Sequence, residues 1–371
     1  MKQSVKAILR KPVRLLGYDI HRIGKQRNND SDFGENQVVP DIWKRPVYLD
    51  LLPERLRGFG QAVVLLGSAA ETGRLRETLA PRGFEVKAFE WDWNSSFMDL
   101  PGDPAVVLCK LPMNESQWRT VRMFKEKLGL RLLGLQELVL PLTTIRQAQA
   151  SLTYLLDTLE AVAPYYVGEE YFGPLDKLNE LFPLAGKTII EFGPMEGAQT
   201  AGLVSLGAKT VTCVEARAES YIKTMVARYA LGWDNVVLVM DDFHNADNLK
   251  YGVFDLAFAH GVYYHSVAPF FLFENLMSLS KNIFLGGYTY DPRNASGGDF
   301  ETMEYAGKKY EVKRIPMGRS FNTGVNQYGY HFTSDDLIGF FQSQNFDVKV
   351  ISEEASGDPW GDRFLRFLAT R

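Results

Sequence analysis

The chain has 371 residues, more than one ordinary domain holds, and this length predicts two domains. A hydrophobic share of 46% and a net charge of −4 are typical of a soluble globular protein and do not favour a nucleic-acid partner. The two cysteines, Cys109 and Cys213, each lie inside an apolar run. The sequence therefore excludes a disulfide framework and favours a reducing, cytoplasmic compartment.

Residues 1–40 read as a basic N-terminal arm followed by a polar linker. Residues 1–27 carry eight Lys and Arg side chains against one acid, Asp19, and their apolar residues recur at roughly helical spacing. Two interpretations stay open. The arm is either a solvated basic segment, or an interfacial segment whose residues 1–25 contact anionic lipid at the inner face of the membrane.

Residues 41–141 alternate strand-like and helix-like patterns and predict a small α/β domain of unknown role. The predicted strands are 62–67, 84–90, 105–111 and 130–135. One of the predicted helices, "ESQWRTVRMFKEKLG", places apolar Trp118, Val121 and Phe124 three residues apart. Residues 142–174 then predict a helical bridge, with the helix itself over 143–164.

The remaining residues, 175–371, predict a larger α/β domain. Its predicted strands are 188–192, 210–215, 236–240, 254–259, 282–287, 347–351 and 363–368. Helices fit between the first five strands, which we therefore expect to be parallel. Only eleven residues, "SEEASGDPWGD", join the last two, and a parallel crossover needs a dozen or more. We therefore expect the last strand to run antiparallel to its neighbour.

The turn after the first of these strands, "EFGPMEG", predicts a cofactor site. Glycines at a strand–helix turn let the backbone approach a ligand and direct helix N–H groups at it. A pyrophosphate would need a second glycine where Met195 stands, and Pro194 removes a backbone donor. Glu196 would repel phosphates. The turn is better suited to a cofactor that has no phosphate and carries a positive centre.

This stretch resembles motif I of class I S-adenosylmethionine-dependent methyltransferases, written E/D-x-G-x-G-x-G. Glu191, Gly193 and Gly197 match it, and Met195 departs at the middle glycine. The resemblance covers about 165–371 and implies a seven-stranded Rossmann-like sheet with a reversed last strand, and S-adenosylmethionine as the cofactor. Glu215 ends the second strand, where a carboxylate accepts both ribose hydroxyls.

The same resemblance assigns two further stretches. It implies that Asp242 and Phe243 contact the adenine, and that "FDLAFAHGVYYH" is motif IV, which meets the substrate. Because Met195 alters the turn nearest the amino acid end of the cofactor, a carboxyl-modified form of the cofactor stays open.

Methyl transfer to a hydroxyl requires a group that removes a proton. His265, in the loop expected to face the acceptor, is the first candidate, followed by His260 at the end of a strand and His331. A structural histidine is the alternative for each. Metal assistance through Asp241, Asp242 and Asp291 is a less favoured route, because no spacing singles out these residues, and no metal is expected.

Residues 288–330 are too long a connection for a simple crossover and predict a cap over the acceptor. "EYAGKKYEVKRI" within it predicts a hairpin. Tyr264, Tyr288, Arg293 and Asn326 are the expected substrate-binding residues, because rings and hydrogen-bond donors suit a polyhydroxylated or aromatic acceptor. A surface excursion that only covers the sheet is the alternative.

These features favour methyl transfer to a hydroxyl of a sugar, a glycan intermediate or another small metabolite. "LLGYDIHRIGK" resembles leaders of methyltransferases of bacterial surface-polysaccharide assembly. Two alternatives remain. "GVYYH" is also similar to wobble-uridine tRNA-modifying methyltransferases, although the chain outside its arm is acidic. The other alternative is a non-catalytic protein that binds S-adenosylmethionine. The oligomeric state is left open.

Overall fold

The structure is a computed structural model of the chain. It describes residues 56, 62–66, 69–89, 105–108, 114–128, 131–134, 169–195, 197–293, 299–317, 324–355 and 362–371. The basic arm and the predicted helix over 143–164 lie outside the described residues. Within these ranges, no helix has the length and apolar character needed to cross a membrane.

The first part of the chain forms a small parallel sheet flanked by helices. Its elements in chain order are β1 Ala62–Leu66, α1 Ala69–Leu79, β2 Glu85–Phe89, β3 Ala105–Leu108, α2 Glu115–Leu128 and β4 Arg131–Gly134. The strand order is β2-β1-β3-β4, with every neighbouring pair parallel. This is the smaller α/β fold that the alternating pattern predicts.

The second part of the chain holds the larger sheet. It begins with α3 Glu169–Leu181, which the sequence pattern did not predict because Gly173 and Pro174 interrupt it. The elements that follow are β5 Thr188–Phe192, α4 Ala198–Ser205, β6 Thr210–Glu215, α5 Ala218–Leu231, β7 Val236–Met240, α6 Asn248–Tyr251, β8 Leu256–His260, α7 Pro269–Leu279, β9 Asn282–Tyr290, β10 Asp299–Tyr305, β11 Lys308–Pro316, β12 Tyr328–His331, α8 Ser334–Ser343, β13 Asp347–Ala355 and β14 Asp362–Thr370.

Seven of these strands form one sheet in the order β13-β14-β9-β8-β5-β6-β7. The five strands from β5 to β9 pair in parallel. The last strand, β14, lies between β13 and β9 and is antiparallel to both. The reversal expected from the short final connection is therefore confirmed.

The predicted cap contains a second, three-stranded antiparallel sheet, ordered β10-β11-β12. The predicted hairpin is present, and Ala306 and Gly307 form its turn with φ of 50° and 79°. The cap is also part of the main hydrophobic core. Tyr310 lies with its ring centroid 5.0 Å from Phe270 of α7, and both side chains are buried. This sheet therefore packs into the core of the larger sheet, and it is more than the surface excursion that the sequence left as an alternative.

Two glycines provide a test of this packing with opposite expected signs. A Cβ on Gly329 of β12 would contact the backbone carbonyl oxygen of Tyr264, which cannot move alone. We expect Gly329→Ala to lower the free energy of unfolding by about 2–3 kcal/mol, as overpacking does. Gly339 lies in α8 with only the tip of Lys308 near its Cβ position. Gly339→Ala should raise stability by about 0.5–1 kcal/mol, because alanine is the better helix former.

Urea unfolding of the two variants and the wild type measures both effects. A Gly329→Ala variant as stable as the wild type would contradict the close packing of β12 against residues 263–265.

Candidate functional site

The turn after β5 has the backbone of a ligand-binding glycine loop. Gly193 and Gly197 adopt φ of 63° and 85°. Met195, at the middle position, also adopts a positive φ of 54°, although it has a side chain. The loop therefore keeps a left-handed conformation where the motif has its second glycine. Gly193 also has a packing reason, because a Cβ there would lie 2.5 Å from Val262 Cγ1.

Glu215, at the carboxyl end of β6, is bonded to this turn. Its Oε2 accepts a hydrogen bond from the backbone N–H of Met195 at 3.2 Å, and its Oε1 accepts from that of Arg217 at 2.9 Å. Burial raises the pKa of Glu215 to about 7, while these backbone donors oppose the shift. The backbone N–H of Ala216 is a further donor, and a carboxylate has about four acceptor positions, so acceptor capacity is left for a ligand hydroxyl.

Glu191 lies deeper in β5. Its Oε2 accepts hydrogen bonds from Thr200 Oγ1 at 2.6 Å and from Cys213 Sγ at 3.3 Å. Burial raises the pKa of Glu191 to about 7 as well. A raised carboxyl pKa stabilises the fold below the unfolded pKa, and that contribution is lost as the pH rises through about 7. The two acids thus make the ligand-free fold less stable at pH 8 than at pH 5.

The loop after β7, residues 242–245, carries the acid expected at the adenine. Asp242 is buried, and its Oδ1 accepts from the backbone N–H of His244 at 2.8 Å and lies 2.7 Å from His244 Nδ1. No described residue bonds to its Oδ2. The neighbouring Asp241 instead accepts from Tyr251 and Lys250, which lower its pKa against the effect of burial. Asp242 is therefore the acid with an oxygen left for a ligand.

Four of the predicted residues for catalysis and acceptor binding lie together. The ring of Tyr264 lies 4.3 Å from that of His265, 5.0 Å from Tyr288 and 5.7 Å from His331. Asn326 donates to the backbone oxygen of His265 at 2.8 Å, so its amide holds the loop. We call Tyr264, His265, Tyr288 and His331 the aromatic cluster.

Burial lowers the pKa of His265 to about 3, with smaller contributions from the charges of His331 and Arg217. Its Nδ1 lies 3.1 Å from the sulfur of Met317. Arg217 is also the residue whose backbone N–H reaches Glu215. The charge of Arg217 therefore acts on His265 of the aromatic cluster from the edge of the sheet that carries Glu215.

His331 is paired with a buried acid that the sequence pattern did not single out. Asp362, the first residue of β14, places Oδ2 3.0 Å from His331 Nδ1, although the angle is not that of a hydrogen bond. Lys313 Nζ, fully buried, lies 3.4 Å from Asp362 Oδ1. Such long-range pairing of three strands leaves no local sequence pattern, so only the fold shows it.

His260 has a different environment. Arg366 Nε, which can only donate, lies 3.2 Å from His260 Nε2, so this nitrogen is the acceptor and Nδ1 carries the proton. Gln199 lies 2.6 Å from Nδ1 and must then present its amide oxygen. Burial, followed by the charge of Arg366, lowers the pKa of His260 to about 3. Both ring nitrogens are thus engaged by the protein.

Within the part of the chain that the structure describes, the predicted substrate residue Arg293 forms its side-chain hydrogen bonds with Asp291 and none with the aromatic cluster. Its guanidinium binds the carboxylate of Asp291, and its side chain is 81% exposed. Arg293 lowers the pKa of Asp291 to about 2. Among the described residues, no group of three or more His, Cys, Asp or Glu side chains could hold a metal ion.

The strand order decides the fold. Numbered within the sheet, it is 3-2-1-4-5-7-6 with the seventh strand reversed. The chain has the fold of class I methyltransferases. The glycine turn, Glu215 and Asp242 lie at the carboxyl ends of β5, β6 and β7, at the edge where open α/β sheets hold their ligands.

Comparison with solved structures finds similar chains. The N-terminal domain of EvdMO1 with SAH bound shares 22% identity at a TM-score of 0.47, covering 56% of this chain and 83% of that chain. Magnesium protoporphyrin IX methyltransferase from Synechocystis PCC 6803 with bound SAH shares 13% at 0.38, covering 55% and 83%. No family model and no curated protein matches the sequence.

The strained residue in the turn provides a second prediction. Met195→Gly should leave the free energy of unfolding within about 0.5 kcal/mol of the wild type, because relief of the positive φ offsets the entropy that glycine adds to the unfolded chain. Met195→Val should lower it by about 1–2 kcal/mol, because a β-branched side chain is disfavoured there. Ala306→Val, at the same kind of φ in the remote hairpin, is the matched control.

Thermal and urea unfolding measure these differences. If Met195→Val unfolds with the wild-type midpoint, the left-handed conformation at residue 195 is wrong.

Proposed function

We propose that this chain is an S-adenosylmethionine-dependent methyltransferase that acts on a hydroxyl of a sugar, a glycan intermediate or another small metabolite. The observation that carries the proposal is the joining of Glu215 to the glycine turn. One buried carboxylate holds the backbone of residues 195 and 217 and keeps acceptor positions at the strand ends. A ribose with two neighbouring hydroxyls fits this chemistry.

The residues around the edge suit the other parts of the cofactor. The Oδ2 of Asp242 can accept a hydrogen bond from the amino group of adenine, beside Phe243. Gly193 and Gly197 offer backbone without side chains to the amino acid end. When bound, S-adenosylmethionine supplies a methyl group already activated by its sulfonium. The protein must then orient an acceptor, exclude water and remove a proton.

The aromatic cluster is the proposed acceptor site, and His331 is the proposed base within it. An Asp362 carboxylate beside Nδ1 favours a proton on Nδ1, which leaves the lone pair of Nε2 to take the acceptor's proton. His265 is a weaker base, because its pKa is lowered to about 3. His260 uses both nitrogens within the protein. Tyr264 and Tyr288 offer ring faces to the acceptor.

The cofactor is tested first, by calorimetric titration with S-adenosylmethionine and with NADH between pH 6 and pH 8. We expect micromolar binding of S-adenosylmethionine, none of NADH, and loss of binding in Glu215→Ala. The ribose hydroxyls favour the ionised carboxylate, and the pKa of Glu215 is raised to about 7. Affinity should therefore rise with pH across this window, at most about tenfold per unit, with proton release.

Glu191→Gln is the control, because it removes the other acid whose pKa is about 7 and keeps an acceptor for Thr200. The pH dependence should survive in this variant. Absence of S-adenosylmethionine binding by the wild type would sink the methyltransferase proposal and leave the Gly193 turn as a structural feature.

The base is tested by turnover, measured as release of S-adenosylhomocysteine with a panel of acceptors, nucleotide sugars first. We expect His331→Gln to lower kcat by about 10²–10⁴, with unchanged affinity for the cofactor and partial recovery at high pH. His265→Gln should lower it by less than about tenfold. The reverse ranking would assign the base to His265. A protein that binds the cofactor and turns over no acceptor would favour the non-catalytic alternative.

A further inference from the structure

Helix α2 belongs to the smaller α/β unit, yet its side chains contact the loop that carries Asp242. We call residues 242–245 the adenine loop. The ring of Trp118 stacks on the imidazole of His244, with centroids 4.8 Å apart and planes inclined by 27°. Trp118 is 1% exposed, and its Nε1 has no hydrogen-bond partner among the described residues. The indole therefore acts through its ring faces.

His244 transmits this contact to Asp242. Its Nδ1 lies 2.7 Å from Asp242 Oδ1, and its Nε2 lies 2.6 Å from Ser266 Oγ. The imidazole is thus held at two edges by hydrogen bonds and on one face by Trp118. A ring fixed in this way keeps Oδ1 of Asp242 directed at His244, which defines the orientation of the carboxylate.

A second chain of contacts runs from α2 to the backbone of the same loop. Arg122 Nη2 donates to Asn275 Oδ1 at 2.6 Å and to the backbone oxygen of Phe271 at 3.2 Å, while Nη1 pairs with Glu274. The guanidinium also lies over the Phe271 ring, 3.8 Å from its centroid. Asn275 Nδ2 in turn donates to the backbone oxygen of His244 at 2.6 Å. The side chain and the main chain of His244 are therefore both reached from α2.

We propose that the smaller α/β unit positions the adenine loop through α2, with Trp118 as the positioning residue that sets the selectivity for the 6-amino group of adenine. This role rests on the proposed function, because it takes Asp242 as the residue that accepts from that amino group. It assigns to the first unit the orientation of the cofactor-binding carboxylate.

The test compares two ligands that differ at one group, S-adenosylhomocysteine and S-inosylhomocysteine, which has an oxygen in place of the 6-amino group. Calorimetry on the full chain gives the ratio of their dissociation constants. We expect Trp118→Leu to weaken the binding of S-adenosylhomocysteine about three- to tenfold, which is the range expected for loss of an aromatic pair. The affinity for S-inosylhomocysteine should stay nearly unchanged. The preference should then fall toward that of Asp242→Asn.

Two variants of α2 serve as controls. Trp118→Phe keeps a ring over His244 and loses no hydrogen bond, so it should recover most of the preference. Glu126→Gln changes an exposed residue of the same helix and should match the wild type. In a double-mutant cycle with His244→Gln, the effects of the two substitutions on the ratio of dissociation constants should not add, because Trp118 acts through His244.

Equal weakening of both ligands by Trp118→Leu, or additivity with His244→Gln, would overturn the proposal and leave Trp118 as a packing residue only. If the wild type binds neither ligand, the proposed function fails, and hydrogen exchange then decides the positioning role. Faster exchange of the amides of residues 242–245 in Trp118→Leu, but not in Glu126→Gln, supports it. Unchanged exchange of these amides overturns it.

Discussion

The buried carboxylate of Glu215 organises the edge of the sheet at which the candidate site lies. It ends β6, yet its hydrogen bonds reach the turn after β5 and the start of α5. Thr224 of α5 donates to the backbone oxygen of Met195 at 3.0 Å, so the turn is held from two directions. Burial of this acid is costly, as its raised pKa shows, and the backbone donors offset part of that cost. The same donors do not use all of the acceptor positions of the carboxylate.

The cap and the reversed strand bring a second set of groups to this edge. β12 carries His331 at its end, and β14 carries Asp362 at its beginning, so the pair forms only because both strands meet beside β9. The aromatic residues of the cap pack into the core with α7 and α8, which fixes β12 relative to the loop 263–265. The buried ammonium group of Lys313 compensates the charge of the Asp362 carboxylate, which solvent does not reach. The proposed acceptor site thus depends on core packing for its geometry.

The smaller α/β unit acquires a physical link to this edge through α2. Trp118 was visible in the sequence as one of three apolar residues on a helix face, which identifies a buried side but not its partner. The side chain to which it packs is the ring of His244, in the loop after β7. The stacking joins residues 126 positions apart, and no period within either segment encodes it. This is also why Asp362 and Arg366 were absent from the predicted site.

Local patterns determined the elements that depend on neighbouring residues. Alternation and turn chemistry predict the strands from β5 to β9, the glycine turn and the hairpin of the cap, and the structure has them. The length of the final connection predicts the antiparallel last strand, which is also present. Helix α3 was missed because Gly173 and Pro174 disfavour a helix locally, whereas packing of Leu175 and Leu178 in the core stabilises it.

What only the tertiary structure decided is which predicted residues meet, and in which surroundings. The sequence by itself supplied three candidate histidines, with His265 ranked first and His331 last, and it placed Arg293 among the substrate residues. Folding surrounded His260 with Gln199 and Arg366, buried His265 and set His331 beside Asp362. The physical reason is that burial and partner charges, which set the basicity and orientation of a side chain, come from residues distant in the chain.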